Sequence, residues 1–147
     1  MIDFKIKEYK DLTKEELYDL LQLRSEVFVV EQDCVYQDID GKDQKALHVL
    51  GYKDESLIAY TRIFKGGYYF DNASIGRVIV KEDQRKYGYG KDLMKVSIEA
   101  VSKHYNAEII EISAQTYLNN FYSNLGFQDV GEGYLEDGIP HIRMIKK

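Results

Sequence analysis

The stretch that most limits what this chain can become lies at its middle. Val78-Ile79-Val80 runs through Lys81-Glu82-Asp83-Gln84 into Arg85-Lys86-Tyr87-Gly88-Tyr89-Gly90-Lys91. The β-branched triplet reads as a central strand. Leu93, Met94, Val96, Ile98 and Val101 then follow largely at helical spacing and predict an amphipathic helix over 88–104. A strand is thus handed to a long helix through a turn with two glycines, residues that let backbone approach a ligand closely. The free N–H groups of the first helical turn, with the helix dipole behind them, favour an anion there. Arg85, Lys86 and Lys91 add three cations in a chain whose formal charge is −5. The pattern implies a phosphate or pyrophosphate site.

Three phosphate ligands compete for it. A P-loop needs Gly-Lys-Ser/Thr, but Gly90-Lys91 is followed by Asp92, so the magnesium-binding hydroxyl is missing. A dinucleotide fingerprint needs a third small residue, and Leu93 holds that place, although acidic residues do fall about 20 positions on. Coenzyme A is the third ligand. A plain strand-to-helix turn with no ligand is the bland alternative.

The remaining chain reads as one domain, residues 1–147, with no linker or repeat. Ile2, Phe4 and Ile6 alternate with polar residues as in a half-buried strand. Thr13-Lys14-Glu15-Glu16 is a capping box that opens a helix over 13–29. Residues 31–45 are irregular. Strands are expected over 47–52, 57–64 and 74–80, with turns at Asp54-Glu55 and Gly66-Gly67. After the 88–104 helix come a strand over 107–113, a short helix over 118–124 ended by Gly126, and strands over 127–130 and 139–145. The order predicts an α/β (α+β) layered fold: a central mixed, mostly antiparallel sheet flanked by helices.

Composition excludes several classes. An acidic chain is a poor nucleic-acid binder, so no nucleic-acid partner is expected. A lone Cys34 forbids an internal disulfide and an all-cysteine zinc site, and His48, His104 and His141 show no metal-ligand spacing, so no metal is expected. Apolar runs such as Val27-Phe28-Val29-Val30 are too short for a membrane span, and no secretory signal is visible, which makes cytoplasmic residence the expectation.

Arg85-x-x-Gly88-x-Gly90 resembles the first signature of the GNAT N-acetyltransferase family, and Asn120-Phe121-Tyr122-Ser123-Asn124-Leu125-Gly126-Phe127 resembles the second. The run from Leu23 to Gln32, Cys34 and Tyr36, Asp40-Gly41-Lys42-Asp43, His48, Ile75-Gly76-Arg77-Val78 and the closing Glu136-Asp137-Gly138-Ile139-Pro140-His141 are similar to the ElaA-like branch, in order and over nearly the whole chain. The resemblance implies the GNAT acyl-CoA N-acyltransferase fold and transfer of an acetyl group from acetyl-CoA to a primary amine of a small molecule or peptide, directly within a ternary complex. It implies that a bulge splays the preceding strand, that Val78, Ile79 and Val80 line the pantetheine arm, and that Arg85, Lys86, Tyr87, Gly88, Tyr89, Gly90 and Lys91 hold the pyrophosphate. Many members carry Asn seven residues before the tyrosine as a cofactor contact; here Gln115 stands there, in an Ala114-Gln115 pair that itself resembles the ElaA-like branch.

Acetyl transfer needs a neutral amine, aligned reactants and a proton for the leaving thiolate. By spacing alone Tyr122 reads as a core tyrosine on a short helix; the resemblance reverses that, matching it to the family's proton donor and cofactor contact. Glu31, His48, Glu111 and His141 are candidate bases, and the resemblance favours Glu31 and His141. Residues 31–43 hold Glu31, Asp33, Asp38, Asp40 and Asp43 against Lys42. They form either a solvated loop or an acidic acceptor pocket, with Glu31, Gln32, Asp40 and His141 binding the amine. Cys34 reads as a small buried residue. A non-catalytic acyl-CoA sensor on the same fold is the rival function, and an exposed last strand would allow a homodimer by pairing sheets.

Overall fold

The computed structural model describes residues 2–147. The chain opens with β1 (Asp3–Glu8) and enters α1 (Lys14–Arg24) through the capping box, with both of its hydrogen bonds formed: Glu16 N donates to Thr13 Oγ1 at 3.1 Å and Thr13 N donates to Glu16 Oε1 at 2.9 Å. The helix does not stop where α geometry ends. Ser25–Glu31 continues it as a π-helix, with Gln32 N bonded to Val27 O and Cys34 N to Val29 O, each five residues back.

A meander follows: β2 (Leu47–Lys53), β3 (Ser56–Phe64) and β4 (Ala73–Val80). Asp54 and Glu55 both take positive φ at the β2–β3 turn, as a two-residue hairpin loop requires. The second half is α2 (Tyr89–Tyr105), β5 (Ile110–Gln115), α3 (Asn119–Ser123), β6 (Gln128–Glu136) and β7 (Ile139–Lys146). β6 runs six residues beyond the expected strand, because its pairing with β7 shifts register between Val130 and Tyr134 and then resumes.

The seven strands form one sheet in the order β1-β2-β3-β4-β5-β7-β6, in which β4 and β5 make the parallel pair. Helices cover both faces, so the central strands are apolar almost throughout. Leu20, Leu23 and Val27 pack with Leu50, Tyr60 and Ile79 under α1. Leu93, Met94, Ala100 and Val101 of α2 pack on Val49, Ile63, Ile75, Ile112 and Phe127 on the other face. Each fully buried aliphatic side chain of this kind contributes about 1.5–3 kcal/mol. Ser97 ties α2 to the sheet: its hydroxyl lies 2.7 Å from that of Thr61 and donates to Leu93 O.

Candidate active site

The site begins where β4 and β5 part. They pair only at Ala73–Ile110 and Ser74–Glu111; beyond that β5 keeps its antiparallel partner β7 as far as Gln115–His141, while β4 keeps β3. The cause is a bulge in β4. Tyr60 faces Ile79 but Arg62 faces Gly76, so β4 carries one extra residue at Arg77-Val78. Arg77 there has φ +50, a left-handed conformation costly for a side chain of that size. The extra residue also reverses the strand's facing. Ile75 packs under α2, yet Ile79, four residues on, packs under α1.

What holds Arg77 in place is the acidic loop. Arg77 Nε donates to Asp38 Oδ1 at 2.7 Å and Nη2 donates to Asp38 O at 3.1 Å. Arg24, fully buried, donates from Nε to Asp38 Oδ2 at 2.8 Å and from Nη1 to Asp43 Oδ1 at 2.7 Å. Arg62 grips both oxygens of Asp40 at 2.8 Å and Asp43 Oδ1 at 3.0 Å. Three guanidiniums from α1, β3 and β4 balance three carboxylates. Burial alone would raise the Asp40 carboxyl, but Arg62 holds it down to about 2; Asp43 is likewise lowered by Arg24 and Arg62 against its burial. Asp38, Asp40 and Asp43 are therefore taken up by these guanidiniums, while Asp33 is exposed, and the expectation that Asp40 binds the amine is corrected: Asp40 holds Arg62.

At the cofactor end, Lys81 N donates to Ile58 O, so by antiparallel alternation Ile79 bonds to β3 while the main-chain groups of Val78 and Val80 face the open edge. The side chain of Ile79 is buried under α1 and does not line the groove, which corrects the expectation for that residue. The turn expected after β4 is a 3-10 helix over Glu82–Tyr87, ending at Gly88 with φ +76, the N-cap of α2. The first-turn N–H groups of Tyr89, Gly90 and Lys91 emerge there beside Lys86 and Tyr87. Arg85 Nε donates to Val80 O at 2.8 Å and its two terminal nitrogens clasp Glu31 at 2.5 and 2.8 Å. Glu31 is thus an ion-pair partner of Arg85 and is not among the residues lining the cavity between the parted strands. Sequence reasoning missed Lys53, which sits 4.6 and 5.2 Å from the ring centroids of Tyr87 and Tyr89 and bonds Gln84. Nothing in its local sequence marks it, because the β2–β3 hairpin delivers it from afar.

Between the parted strands lies a cavity of about 110 Å³. Tyr122 reaches it from α3, between the edges of Phe121 and Phe127, and its phenol is pushed up by burial. It makes no side-chain hydrogen bond among the described residues. Val78, Gln115, Gln32 and His141 also line the cavity, so the structure brings five expected site residues together. His141 Nδ1–H donates to Ile139 O at 2.7 Å, and its Nε2 lies 3.5 Å from Glu136 Oε2. Ser113 bonds the Tyr134 hydroxyl and donates to Glu136 Oε1 at 3.4 Å. Glu136 stood inside a recognisable stretch of sequence, but only the β6–β7 hairpin shows it facing the cleft. Cys34 is half-buried on the cavity wall, its thiol donating to Asp137 O at 3.3 Å, and is not the enclosed residue expected. His48 is a core residue whose Nε2–H donates to Asp43 O, and Glu111 is held by Arg143 and Asn72; neither lines the cavity.

The residues fit a coenzyme A thioester: open strand edges for the amides of the arm, and a glycine-capped helix start with Arg85, Lys86 and Lys53 nearby for the diphosphate. The family model "Acetyltransferase (GNAT) domain" matches residues 8–147. The chain belongs to the GNAT family. Protein ElaA of Escherichia coli is 44% identical over 149 residues, covering 100% of this chain and 97% of that protein. The crystal structure of Escherichia coli ElaA superposes with TM-score 0.94 over 100% of both chains. An acyl-CoA N-acyltransferase from Pseudomonas aeruginosa does so at 0.93, with 41% identity over 99% of each chain. A GNAT acetyltransferase from Elizabethkingia anophelis with acetyl-CoA bound shares the fold at TM-score 0.64 and 16% identity, over 99% of this chain and 97% of that one. This GNAT membership supports an acyl-CoA-dependent acyltransferase. Among the described residues no helix is long and apolar enough to cross a membrane, and no cluster of metal-ligating side chains occurs.

Proposed function

We propose that this single-domain GNAT protein transfers an acetyl group from acetyl-CoA to a primary amine by direct attack within a ternary complex. The observation that carries the reading is Tyr122, a buried phenol on the wall of the cavity where β4 and β5 open, across from the His141–Glu136 pair. When bound, acetyl-CoA supplies an acyl group already activated as a thioester. The main-chain groups of Val78 and Val80 orient the arm, and the first turn of α2 with Arg85 and Lys86 anchors the diphosphate. Because burial keeps the Tyr122 phenol protonated, its Oη–H can donate to the departing sulfur. With Nδ1–H committed to Ile139 O, His141 offers Nε2 as acceptor of the amine proton, and Glu136 stabilises the resulting imidazolium. Glu31 leaves the base role to His141. Gln32 and Gln115 flank the acyl position.

The test is consumption of acetyl-CoA with a broad panel of amines, beside thermal stabilisation by coenzyme A, NAD and ATP. Turnover with at least one amine and stabilisation by coenzyme A alone are expected. Stabilisation without turnover on any amine would favour a non-catalytic acyl-CoA sensor, and stabilisation by NAD or ATP would remove the coenzyme A reading.

A further inference from the structure

A second hollow opens on the cleft. Its lining shares Ile75, Gly76, Arg77, Ser113 and Glu136 with that of the Tyr122 cavity, so the two form one passage between β4 and β5. The far wall of this hollow is aromatic. The β3–β4 loop carries Tyr68-Tyr69-Phe70, and a hydrogen bond from Gly67 N to Phe70 O folds it back on the strand. Tyr69 stacks on Phe64 with rings 4° from parallel and centroids 5.5 Å apart, and Phe70 meets Tyr69 edge-on at 4.9 Å. Tyr68 and Tyr69 remain about two-fifths exposed, and Tyr69 lines the hollow. At Gly76, between the hollows, an added Cβ would meet nothing within 4 Å, so the passage is open where a side chain would stand.

The charges along this passage are as informative. Glu136 is exposed and has no lysine or arginine partner among the described residues. It faces both hollows and lies beside His141, on the acceptor side of the acyl position. Arg62 and Arg77 also line the second hollow, but Asp38, Asp40 and Asp43 are their counterions; Arg62 Nε is buried and unpartnered among the described residues. The second hollow therefore holds one carboxylate, Glu136, no cation without a counterion and a wall of aromatic rings, while Asp137 next to it lines only the Tyr122 cavity.

Resting on the transferase reading, we infer that the Phe64–Tyr69–Phe70 hollow is the acceptor's subsite and that its occupant is a primary monoamine on an aryl or alkyl arm. The ammonium is drawn to Glu136 before it loses its proton, and the arm lies against the rings. An α-carboxylate on the acceptor would meet Glu136 with no free guanidinium to offset the repulsion, so α-amino acids are rejected. A polyamine arm in this hollow would bring further charges against ring faces, with no carboxylate there beyond Glu136.

The experiment is coenzyme A release from acetyl-CoA with phenethylamine, hexylamine, methylamine, phenylalanine and spermidine, on the full chain and on Tyr69→Ala and Gly76→Val. Phenethylamine and hexylamine are expected to exceed phenylalanine and spermidine in kcat/KM by tenfold or more. Tyr69→Ala, on an exposed loop, raises KM for phenethylamine about tenfold with kcat and the acetyl-CoA KM unchanged, and leaves methylamine unaffected; Gly76→Val, which narrows both hollows, raises KM for phenethylamine as well. Preference for phenylalanine or spermidine overturns the inference, as does a Tyr69→Ala protein with unaltered phenethylamine kinetics; both leave the transferase standing. Acetyl-CoA consumption with no amine at all overturns the transferase reading and the subsite with it.

Discussion

Asp38→Asn is the sharpest probe of how the cleft is built. The substitution keeps the side chain's size and removes its charge. The carboxylate now accepts from Arg24 Nε at 2.8 Å, Arg77 Nε at 2.7 Å and the Tyr36 hydroxyl at 3.2 Å. Asparagine offers one oxygen where the carboxylate has two, and turns an NH2 toward a guanidinium. Arg24 is fully buried and Arg77 largely so, so a cation loses its counterion away from water. Removing one partner from such a set costs about 3–5 kcal/mol, against a typical domain stability of about 5–15 kcal/mol. At roughly 2–4 °C per kcal/mol for a chain of this size, the midpoint of thermal unfolding falls by about 10 °C. The same change frees Arg77 to leave its positive φ, so the β4 bulge relaxes and the acetyl-CoA KM rises. Differential scanning calorimetry reads the first effect and initial rates the second. A fall of less than about 2 °C would mean that the six charges behave as a surface ion pair worth ~0–1 kcal/mol, and the account of the bulge would be wrong.

The other predictions concern the chemistry and its supports. Tyr122→Phe is expected to lower kcat at least tenfold while the acetyl-CoA KM stays within twofold; unchanged turnover removes Tyr122 as proton donor. Glu31→Gln releases Arg85 toward the diphosphate, so the acetyl-CoA KM falls about twofold or more with kcat intact; a tenfold loss of kcat would return the base role to Glu31. Gly88→Ala puts a Cβ on a residue at φ +76 with no neighbour to hold it, destabilising by about 1 kcal/mol and raising the acetyl-CoA KM. Stability falls with acidity in two windows. Burial lowers the His48 imidazole below its usual 6.5, so the unfolded chain takes up a proton first and stability declines as pH drops from about 6.5. The depressed Asp40 and Asp43 carboxyls add a second loss between 3.8 and about 2; urea titrations at stepped pH would show a flat stability if these groups were not shifted.

Local rules were legible wherever a residue acts on its near neighbours. The Thr13–Glu16 box, the amphipathic stripe of α2 and the order of strands could all be read before any coordinates, and the two family signatures pointed to the Tyr122 end of the cleft. The family resemblance implied a bulge, but its place at Arg77-Val78 was not legible in the local sequence, because a positive φ at an arginine is imposed by partners as far as 39 positions away in sequence. The acidic run 31–43 reads as a loop facing water, since nothing in it announces Arg24, Arg62 and Arg77. Gly131 and Gly133 read as the end of a strand, whereas the chain takes an irregular step there and pairs again with β7, which is what brings Glu136 to His141. Ile6, expected inside, is exposed on the edge strand β1.

The loosened winding over Ser25–Glu31 carries a consequence for how this lineage can vary. A π turn holds one residue more than an α turn, so losing one from this stretch would tighten it into ordinary coils and change which side chains that turn presents. Phe28 and Gln32 would rotate off the cavity wall and Glu31 off Arg85. Substitutions can be absorbed here, but the count of residues between Arg24 and Cys34 is as much a part of the catalyst as any side chain in it.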